Sequence, residues 1–323
     1  MTGDRRTAVL VLTCAYDPTA DIVLRILAER QVRVVRADPG ADLHQGAVLT
    51  ARYTAAGRRG TLATSSRTLD LDRVRAVWYR RPSGWAAPAG MDGQDAEFAR
   101  AQAQWGVGGV LAALPGAHYV NHPWRIRAAE HKPAQLDAAL AAGSAVPDTI
   151  VTTDPEQARA FCAEQPDGAV YKPLWNSPCT DEDGRPVQAW VAEVAPKEIT
   201  DAVAACPNLF QTRLAKDHDV RLTAVGRELF AVRIDSPDLD WRRRQHLLTH
   251  TPIDVPTSVR RSVARYLEHF RLVYGAFDFA VDASGRWWFL ECNSNGQWAF
   301  FPPPTTDAIA TAIADQLQKG PAA

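Results

Sequence analysis

An aspartate on one strand, with a glutamate and an asparagine on the next, are the residues of this sequence best suited to hold a hard cation. They lie in Gly275-Ala-Phe-Asp-Phe-Ala-Val-Asp-Ala-Ser-Gly-Arg-Trp-Trp-Phe-Leu-Glu-Cys-Asn293, which reads as strands Gly275–Val281 and Arg286–Asn293 joined over Asp282-Ala283-Ser284-Gly285. Successive strand residues point to opposite faces, so Glu291 and Asn293 share a face and Cys292 points away. A turn pairing Val281 with Arg286 puts Asp278 opposite Phe289 on that same face, where Asp278, Glu291 and Asn293 converge. Phe277, Phe279, Trp288, Leu290 and Cys292 then form the other, apolar face. Two carboxylates and an amide oxygen suit Mg²⁺, which takes oxygen ligands, keeps waters and is usually shared with substrate phosphates. A lone acid pair is more often a solvated face, but here Asp278 stands between two phenylalanines and Glu291 between Leu290 and Cys292. A three-residue loop would change the register and scatter the trio.

The cations are unevenly distributed. Of 36 Lys and Arg residues only five are lysines: Lys132, Lys172, Lys197, Lys216 and Lys319. Codon bias of a GC-rich genome accounts for most of this, and a lysine kept in such a background more often needs an ammonium. Lys172 sits in the apolar run Val170-Tyr171-Lys172-Pro173-Leu174, where burial of an ammonium is costly unless an anion meets it. Lys132, on a helical stretch, has exposed-lysine chemistry as its ordinary alternative. Acids total 37 and the net charge is −1, which argues against a nucleic-acid coat protein. With 46% hydrophobic and 23% charged residues the chain is ordinary for a globular protein, neither disordered nor membrane-spanning. Its five cysteines are widely spaced with no CxxC pair, so neither a disulfide framework nor a zinc site is expected, and a reducing cytoplasm is.

The elements that must position these residues follow from periodicity. A strand Ala8–Leu12, a helix Thr19–Arg30 and a strand Val32–Val35 begin a parallel α/β layer. The connection Cys14-Ala15-Tyr16-Asp17 lacks the glycines of a dinucleotide fold, and the apolar start is too short for a signal peptide. A strand Ala76–Tyr79, a long helix Gln94–Leu114 and a helix Trp124–Ala142 follow. Next come strands Thr149–Thr152 and Ala169–Leu174 about a helix Asp154–Glu164, and a hairpin-like stretch Cys179–Val194. Strands Val220–Val225 and Glu228–Ile234 turn tightly at Gly226-Arg227, and Pro256–Leu272 and Thr305–Gln318 are helices. Three units are expected: 1–120, 121–206 and 207–323, in an α/β (α+β) fold.

An acid on one strand followed by Glu-x-Asn on the next, with a Gly shortly after, resembles the metal site of the ATP-grasp superfamily. The resemblance implies a parallel-sheet N-terminal domain, a central subdomain and a C-terminal mixed-sheet subdomain, with ATP and Mg²⁺ as cofactors. It makes Lys132 and Lys172 phosphate contacts, and Asn208–Leu214 the hinge strand at adenine, with Phe210 and Gln211 nearest. Lys216-Asp217-His218-Asp219-Val220-Arg221 resembles the K-x-x-D-x-R entry to the C-terminal subdomain. Lys216, Asp219 and Arg221 become catalytic candidates, Arg221 stabilising the transferred phosphoryl group. Arg233 and Arg242, the latter in Asp240-Trp241-Arg242, are further candidates facing substrate. Simple hairpin register puts Arg233 on the face opposite Arg221, so either a bulge intervenes or Arg233 is structural. Trp175–Pro186 has a single Gly where many ATP-grasp proteins carry a Gly-rich lid.

Val77-Trp78-Tyr79-Arg80-Arg81-Pro82, the K-D-H-D-V-R run, D-W-R and Glu291-Cys-Asn-Ser-Asn-Gly-Gln-Trp298 resemble, more narrowly, the ATP-grasp ribosomal peptide maturases, the graspetide macrocyclases. That implies phosphorylation of Asp or Glu side chains of a precursor peptide, then ring closure onto Ser or Thr hydroxyls (ω-ester) or Lys amines (ω-amide). It implies a homodimer and a leader segment docking on a central hairpin, where Asp181, Glu182 and Asp183 stand. That acidic turn reads equally as an ordinary solvated turn. The competing readings are a carboxylate–amine ligase acting on a small molecule or protein tail, and a nucleotide-binding regulator without catalysis.

Overall fold

The computed structural model describes residues 7–175, 179–187 and 189–320. The first layer is a parallel sheet in the order Arg33–Ala37, Ala8–Thr13, Val74–Arg81, His118–Val120. Ala8–Thr13 is buried throughout and apolar up to Leu12, as expected where a parallel sheet is covered on both faces. The following helix, Pro18–Glu29, starts where the Asp17 carboxylate accepts from Ala20 N (3.1 Å), with proline in the first turn. A three-stranded antiparallel sheet (Val48–Thr54, Gly57–Ala63, Thr68–Asp70) also belongs to this layer. The sequence did not announce it, because its strands are short of apolar residues and largely exposed.

The second unit is a four-stranded antiparallel sheet, Ala192–Val194, Ala169–Lys172, Asn208–Thr212, Thr149–Thr152. One side packs on the helix Pro155–Glu164 through Phe210, Ala158, Phe161 and Cys162. The third unit is a five-stranded sheet in the order Thr249–Ile253, Glu228–Asp235, Lys216–Val225, Tyr274–Asp282, Trp287–Asn293. Expected as mixed, it is antiparallel throughout, with one isolated parallel bridge from Ala145 to Trp288. Gly226 turns its central hairpin at φ 59°, the left-handed conformation such a turn requires.

Two helices are built differently from the periodicity reading. Trp124–Ala142 is two helices, Pro123–Ala129 and Lys132–Ala141. Pro133 cannot continue a helix but fits the first turn of a new one. The stretch Gln94–Leu114 runs as Gly93–Gln102, a wider π turn over Ala103–Val107, and Gly108–Ala112. The hairpin expected over Cys179–Val194 is shorter: Cys179–Thr180 pairs with Pro186–Val187, and Ala192–Val194 joins the four-stranded sheet instead. Of this stretch Gln188 lies outside the described residues, as do 176–178 of the segment compared with the Gly-rich lid.

One face of the five-stranded sheet is an apolar core. Phe277, Phe279, Phe289 and Cys292 pack there against Val259, Val263, Tyr266 and Phe270 of the helix Thr257–Phe270, and against Ala138 and Ala139. Each of those phenylalanines is nearly fully buried, and burial of one such side chain contributes about 2–3 kcal/mol. The other face carries the polar residues. Beside them the helix Pro303–Lys319 crosses to the first layer, where Ile309, Ile313 and Leu317 share a core with Val9, Val11, Val23 and Leu27. Residues assigned from sequence to the last unit thus complete the core of the first.

Candidate active site

A cavity of about 360 Å³ lies between the four-stranded and five-stranded sheets. Its floor is the hairpin of the two acids. Val281 pairs with Trp287 and Phe279 with Phe289, and a bulge at Leu290 then brings Asp278 directly opposite Glu291. The expected register, Val281 with Arg286 and Asp278 with Phe289, is corrected: the acids are closer than simple alternation allows. The bulge also exchanges faces, so Phe289 joins the core while Leu290 lines the cavity. Trp288 leaves the expected apolar face as well, donating to Asp282 (2.8 Å) beneath Arg286. An extra residue in one strand re-aims its side chains, which is how bulges commonly serve active sites.

Cations meet these acids from three elements. Lys132 is the first residue of its helix, where the helix dipole disfavours a positive charge, and its Nζ donates to Glu291 Oε2 (2.8 Å). Arg242 Nη1 donates to Glu291 Oε1 (2.6 Å) and lies 3.8 Å from Asp278 Oδ2. Asp240 holds that guanidinium in place, accepting from Arg242 N and Nε. Arg221 Nη1 donates to Asp278 Oδ1 (2.9 Å) from the neighbouring strand. Burial opposes the Glu291 charge, yet Arg242 and Lys132 hold that carboxyl well below the usual range. Burial pushes the Asp278 carboxyl up, against the pull of Arg221 and Arg242.

Lys172 faces them from the four-stranded sheet. Its Nζ donates to Gln211 Oε1 (2.5 Å), and Gln211 Nε2 donates to Thr149 Oγ1 (2.8 Å). Burial lowers the Lys172 ammonium to about 8, with Glu291 partly offsetting and Lys132 and Arg242 reinforcing the shift. Among the described residues its hydrogen-bond partner is a neutral amide, which leaves the ammonium incompletely compensated, and an anion entering the cavity would complete it. At the cavity's rim Lys216 Nζ donates to Asp219 Oδ2 (2.5 Å) and Leu239 O (2.8 Å), and burial raises the Asp219 carboxyl to about 6.

Lys132, Lys172, Gln211, Lys216, Asp219, Arg242, Asp278, Glu291 and Asn293 all line the cavity, with Arg221 buried against its floor. Others of the expected set are elsewhere. Phe210 turns into the core behind the strand, while Leu209 and Gln211 face the cavity; alternation along the strand requires this. Arg233 pairs with Val220 in register, on the face away from Arg221, and binds Asp235 (2.7 Å) and Asp217 (3.4 Å) in a half-exposed cluster. No bulge intervenes on that hairpin, so Arg233 is a surface ion-pair residue. Asp181, Glu182 and Asp183 are exposed; Asp181 closes its own turn by accepting from Asp183 N and Arg185 N, and Asp183 pairs with Arg185.

Whether the acids fit Mg²⁺ can be judged from their bonding. Asp278 Oδ2 is buried without a hydrogen-bond partner among the described residues, and Glu291 is its cross-strand neighbour. Among the described residues no cluster of three or more His, Cys, Asp or Glu side chains gathers to cage a metal. A pair of acids with one adjacent amide, Asn293, fits an ion that keeps waters and is completed by phosphates.

Two residues of the site escaped the sequence reading. Gln135 donates to Ala129 O and Cys292 O and accepts from Cys292 N (2.7, 3.0 and 2.9 Å), fixing the Lys132 helix to the Glu291 strand. Asn121, 1% exposed, donates to Tyr274 O and Ser294 O and accepts from Val273 N and Tyr274 N. Each bridges positions about 150 residues apart, which no local pattern signals.

Comparison with known proteins agrees with this geometry. Residues 8–127 match the MvdD pre-ATP grasp domain. No curated protein matches the sequence. The RiPP-associated ATP-grasp ligase of Chryseobacterium gregarium, solved with ADP and a leader and core peptide, is 25% identical with a TM-score of 0.88 over 98% of both chains. Macrocyclase MdnC of Microcystis aeruginosa MRC, bound with precursor peptide MdnA, is 26% identical with a TM-score of 0.84 over 96% of this chain and 99% of that one. Macrocyclase MdnB of the same organism gives 25% and 0.79 over 97% and 100%. With an MvdD-type first layer and two sheets clasping a cation-lined cavity, the chain is an ATP-grasp ligase with the architecture of the RiPP-associated ligases and macrocyclases.

Proposed function

We propose that the chain is an ATP-dependent macrocyclase acting on a ribosomally made precursor peptide. The observation that carries this reading is the cavity, where Lys132, Lys172, Arg221 and Arg242 surround Asp278 and Glu291 between two clasping sheets. The neighbours that hold ADP with leader and core peptide, or precursor peptide MdnA, support a peptide as substrate.

A carboxylate is a poor electrophile until its oxygen is phosphorylated. In the first step a peptide Asp or Glu oxygen bonds to the γ-phosphorus of ATP and the bond to the ADP oxygen breaks. In the second a Ser or Thr hydroxyl, or a Lys amine, attacks the acyl carbon and phosphate leaves, giving an ω-ester or ω-amide. Phosphoryl transfer asks the protein mainly for positioning and charge compensation. Lys132 and Lys172 supply charge from a helix and from the facing sheet, and Arg221 and Arg242 supply it beside the acids. Mg²⁺ held by Asp278 and Glu291, with Asn293 beside them, would offset phosphate charge. The nucleophile must lose a proton, and Asp219, whose carboxyl burial raises to about 6, is a wall residue able to take it near neutral pH.

The test is mass spectrometry of a short Asp/Glu- and Ser/Thr-rich peptide encoded beside this gene, incubated with enzyme, ATP and Mg²⁺. Successive water losses are expected with the wild type and none with Glu291→Ala. Full turnover by that variant would overturn the assignment of the acids. We assign leader docking to the turn Asp181-Glu182-Asp183, whose exposed acids suit a basic leader residue. Charge reversal at all three positions should weaken leader binding, and unchanged affinity removes that assignment.

A further inference from the structure

The loop Ser294–Gln297 follows the Glu291 strand, and four consecutive carbonyls in it are each taken by a different side chain. Ser294 O accepts from Asn121 Nδ2 (2.9 Å), Asn295 O from Arg80 Nη1 (2.6 Å), Gly296 O from the Tyr274 hydroxyl (2.7 Å) and Gln297 O from Arg221 Nη2 (3.4 Å). The Gln297 side chain is also held, its Oε1 accepting from Arg80 Nη2 (2.5 Å) and from Thr19 Oγ1 (3.1 Å). Arg80 is 2% exposed, at the end of the strand Val74–Arg81, with Asp17 Oδ2 3.8 Å from its Nε. Burying an arginine requires that its donors be met, and two of these are spent on one loop of a different unit.

That loop is one wall of the slot that holds Arg221. The other is Asp278, and the Arg221 guanidinium has no partner for its Nε. A Cβ at Gly296 would run into Arg221 Nη2 and Ala276 Cβ, so glycine is required by close approach rather than by its backbone angles. A shift of the loop by a few tenths of an ångström therefore moves the guanidinium.

We propose that Arg80, a residue of the first layer that reaches no part of the cavity, is a positioning residue for Arg221, acting through the Asn295 carbonyl and Gln297. The inference rests on the reading of the cavity as the nucleotide site with Arg221 at the terminal phosphate. It makes the Trp78-Tyr79-Arg80 run and the Asn295-Gly296-Gln297 run one physical contact, though they stand more than 200 residues apart in sequence.

The experiment is calorimetric titration with Mg-AMPPNP and, separately, Mg-ADP, which lacks the terminal phosphate. Arg221→Lys should weaken AMPPNP at least about 5-fold and leave ADP within about 2-fold. Arg80→Gln should do the same, and in the Arg221→Lys background it should cost no more than about a further 2-fold, because residues acting through one another are not additive. Gln297→Ala, at a half-exposed position, should shift AMPPNP alone by about 3-fold and decides the matter if Arg80→Gln does not fold. The proposal is overturned if Arg80→Gln weakens both nucleotides equally, changes neither, or multiplies with Arg221→Lys. It also falls if Arg221→Lys leaves AMPPNP binding intact. A wild-type protein that binds neither nucleotide refutes the nucleotide site itself, a distinguishable failure.

Discussion

On the proposed function, Lys172 should make nucleotide binding in the cavity proton-linked. With its ammonium lowered to about 8 by burial, half of the free protein carries a neutral lysine at that pH. Glu291 and Asp240 face it as anions, Lys132 and Arg242 as cations, and Gln211 as its neutral partner. A triphosphate that binds beside it favours the charged form and restores the ordinary value, so binding takes up a proton. Uptake should be about 0.1 proton at pH 7, about 0.5 at pH 8 and about 0.9 at pH 9. The sign for affinity follows: the free lysine loses its proton through the window while the bound one keeps it, so ATP binds more weakly as pH rises. The loss between pH 7 and 9 is about 10-fold, or about 1.4 kcal/mol. The terminal phosphate of the nucleotide titrates near ~6 and lies outside this window. Calorimetry of Mg-AMPPNP binding in two buffers of different ionisation enthalpy measures the uptake directly. Lys172→Met should remove it and flatten the pH dependence. Uptake that stays near zero at pH 9, or that persists in Lys172→Met, refutes the reasoning.

Asn121→Leu strips partners from four backbone groups, three of them buried and one partly buried. At about 1 kcal/mol or a little less each, the loss is on the order of 3 kcal/mol, seen as a melting temperature lower by roughly 5–10 °C; an unchanged melt would mean that water replaces the amide. Arg242 lies against both acids, so it competes with a divalent cation for them. Arg242→Gln should tighten Mg²⁺ binding to the nucleotide-free protein by about 5-fold, and a titration showing no change would mean that the guanidinium does not neutralise the pair. Phe279→Ala removes a ring from the core directly behind Asp278 and should cost about 3–5 kcal/mol, measured by denaturant unfolding; a cost below ~1 kcal/mol would contradict the packing.

The site was legible in sequence where residue type and local period carry the information. Asp278 and Glu291 stand out as acids among aromatic and apolar strand residues, and Lys172 as an ammonium in an apolar run. Their separation was not legible, because a bulge at Leu290 depends on packing of Phe289 against Tyr266 and Phe277, which alternation does not encode. Lys132 was placed in mid-helix, although Pro133 already required a new first turn there. Phe210 entered with Gln211 from the resemblance to the adenine hinge strand, and period-two alternation from Gln211 points to Leu209 in its place. The three-stranded sheet was missed for a different reason: with little apolar surface to bury, its strands carry almost no hydrophobic pattern. Asn121, Gln135 and Arg80 bond to distant chain, and a single sequence holds no record of such contacts.

The helix Pro303–Lys319 has a consequence for how the molecule comes into being. Its apolar side packs with Val23 and Leu27 above the first sheet, so the core of the segment matched as a domain of its own, residues 8–127, is completed from outside that segment. Until this helix docks, that segment keeps apolar surface that nothing within residues 8–127 covers in the folded structure. The same core that buries this helix also seats Trp298, next to the loop whose Gln297 carbonyl meets Arg221. Exchanging the first layer between relatives therefore requires exchanging this helix with it.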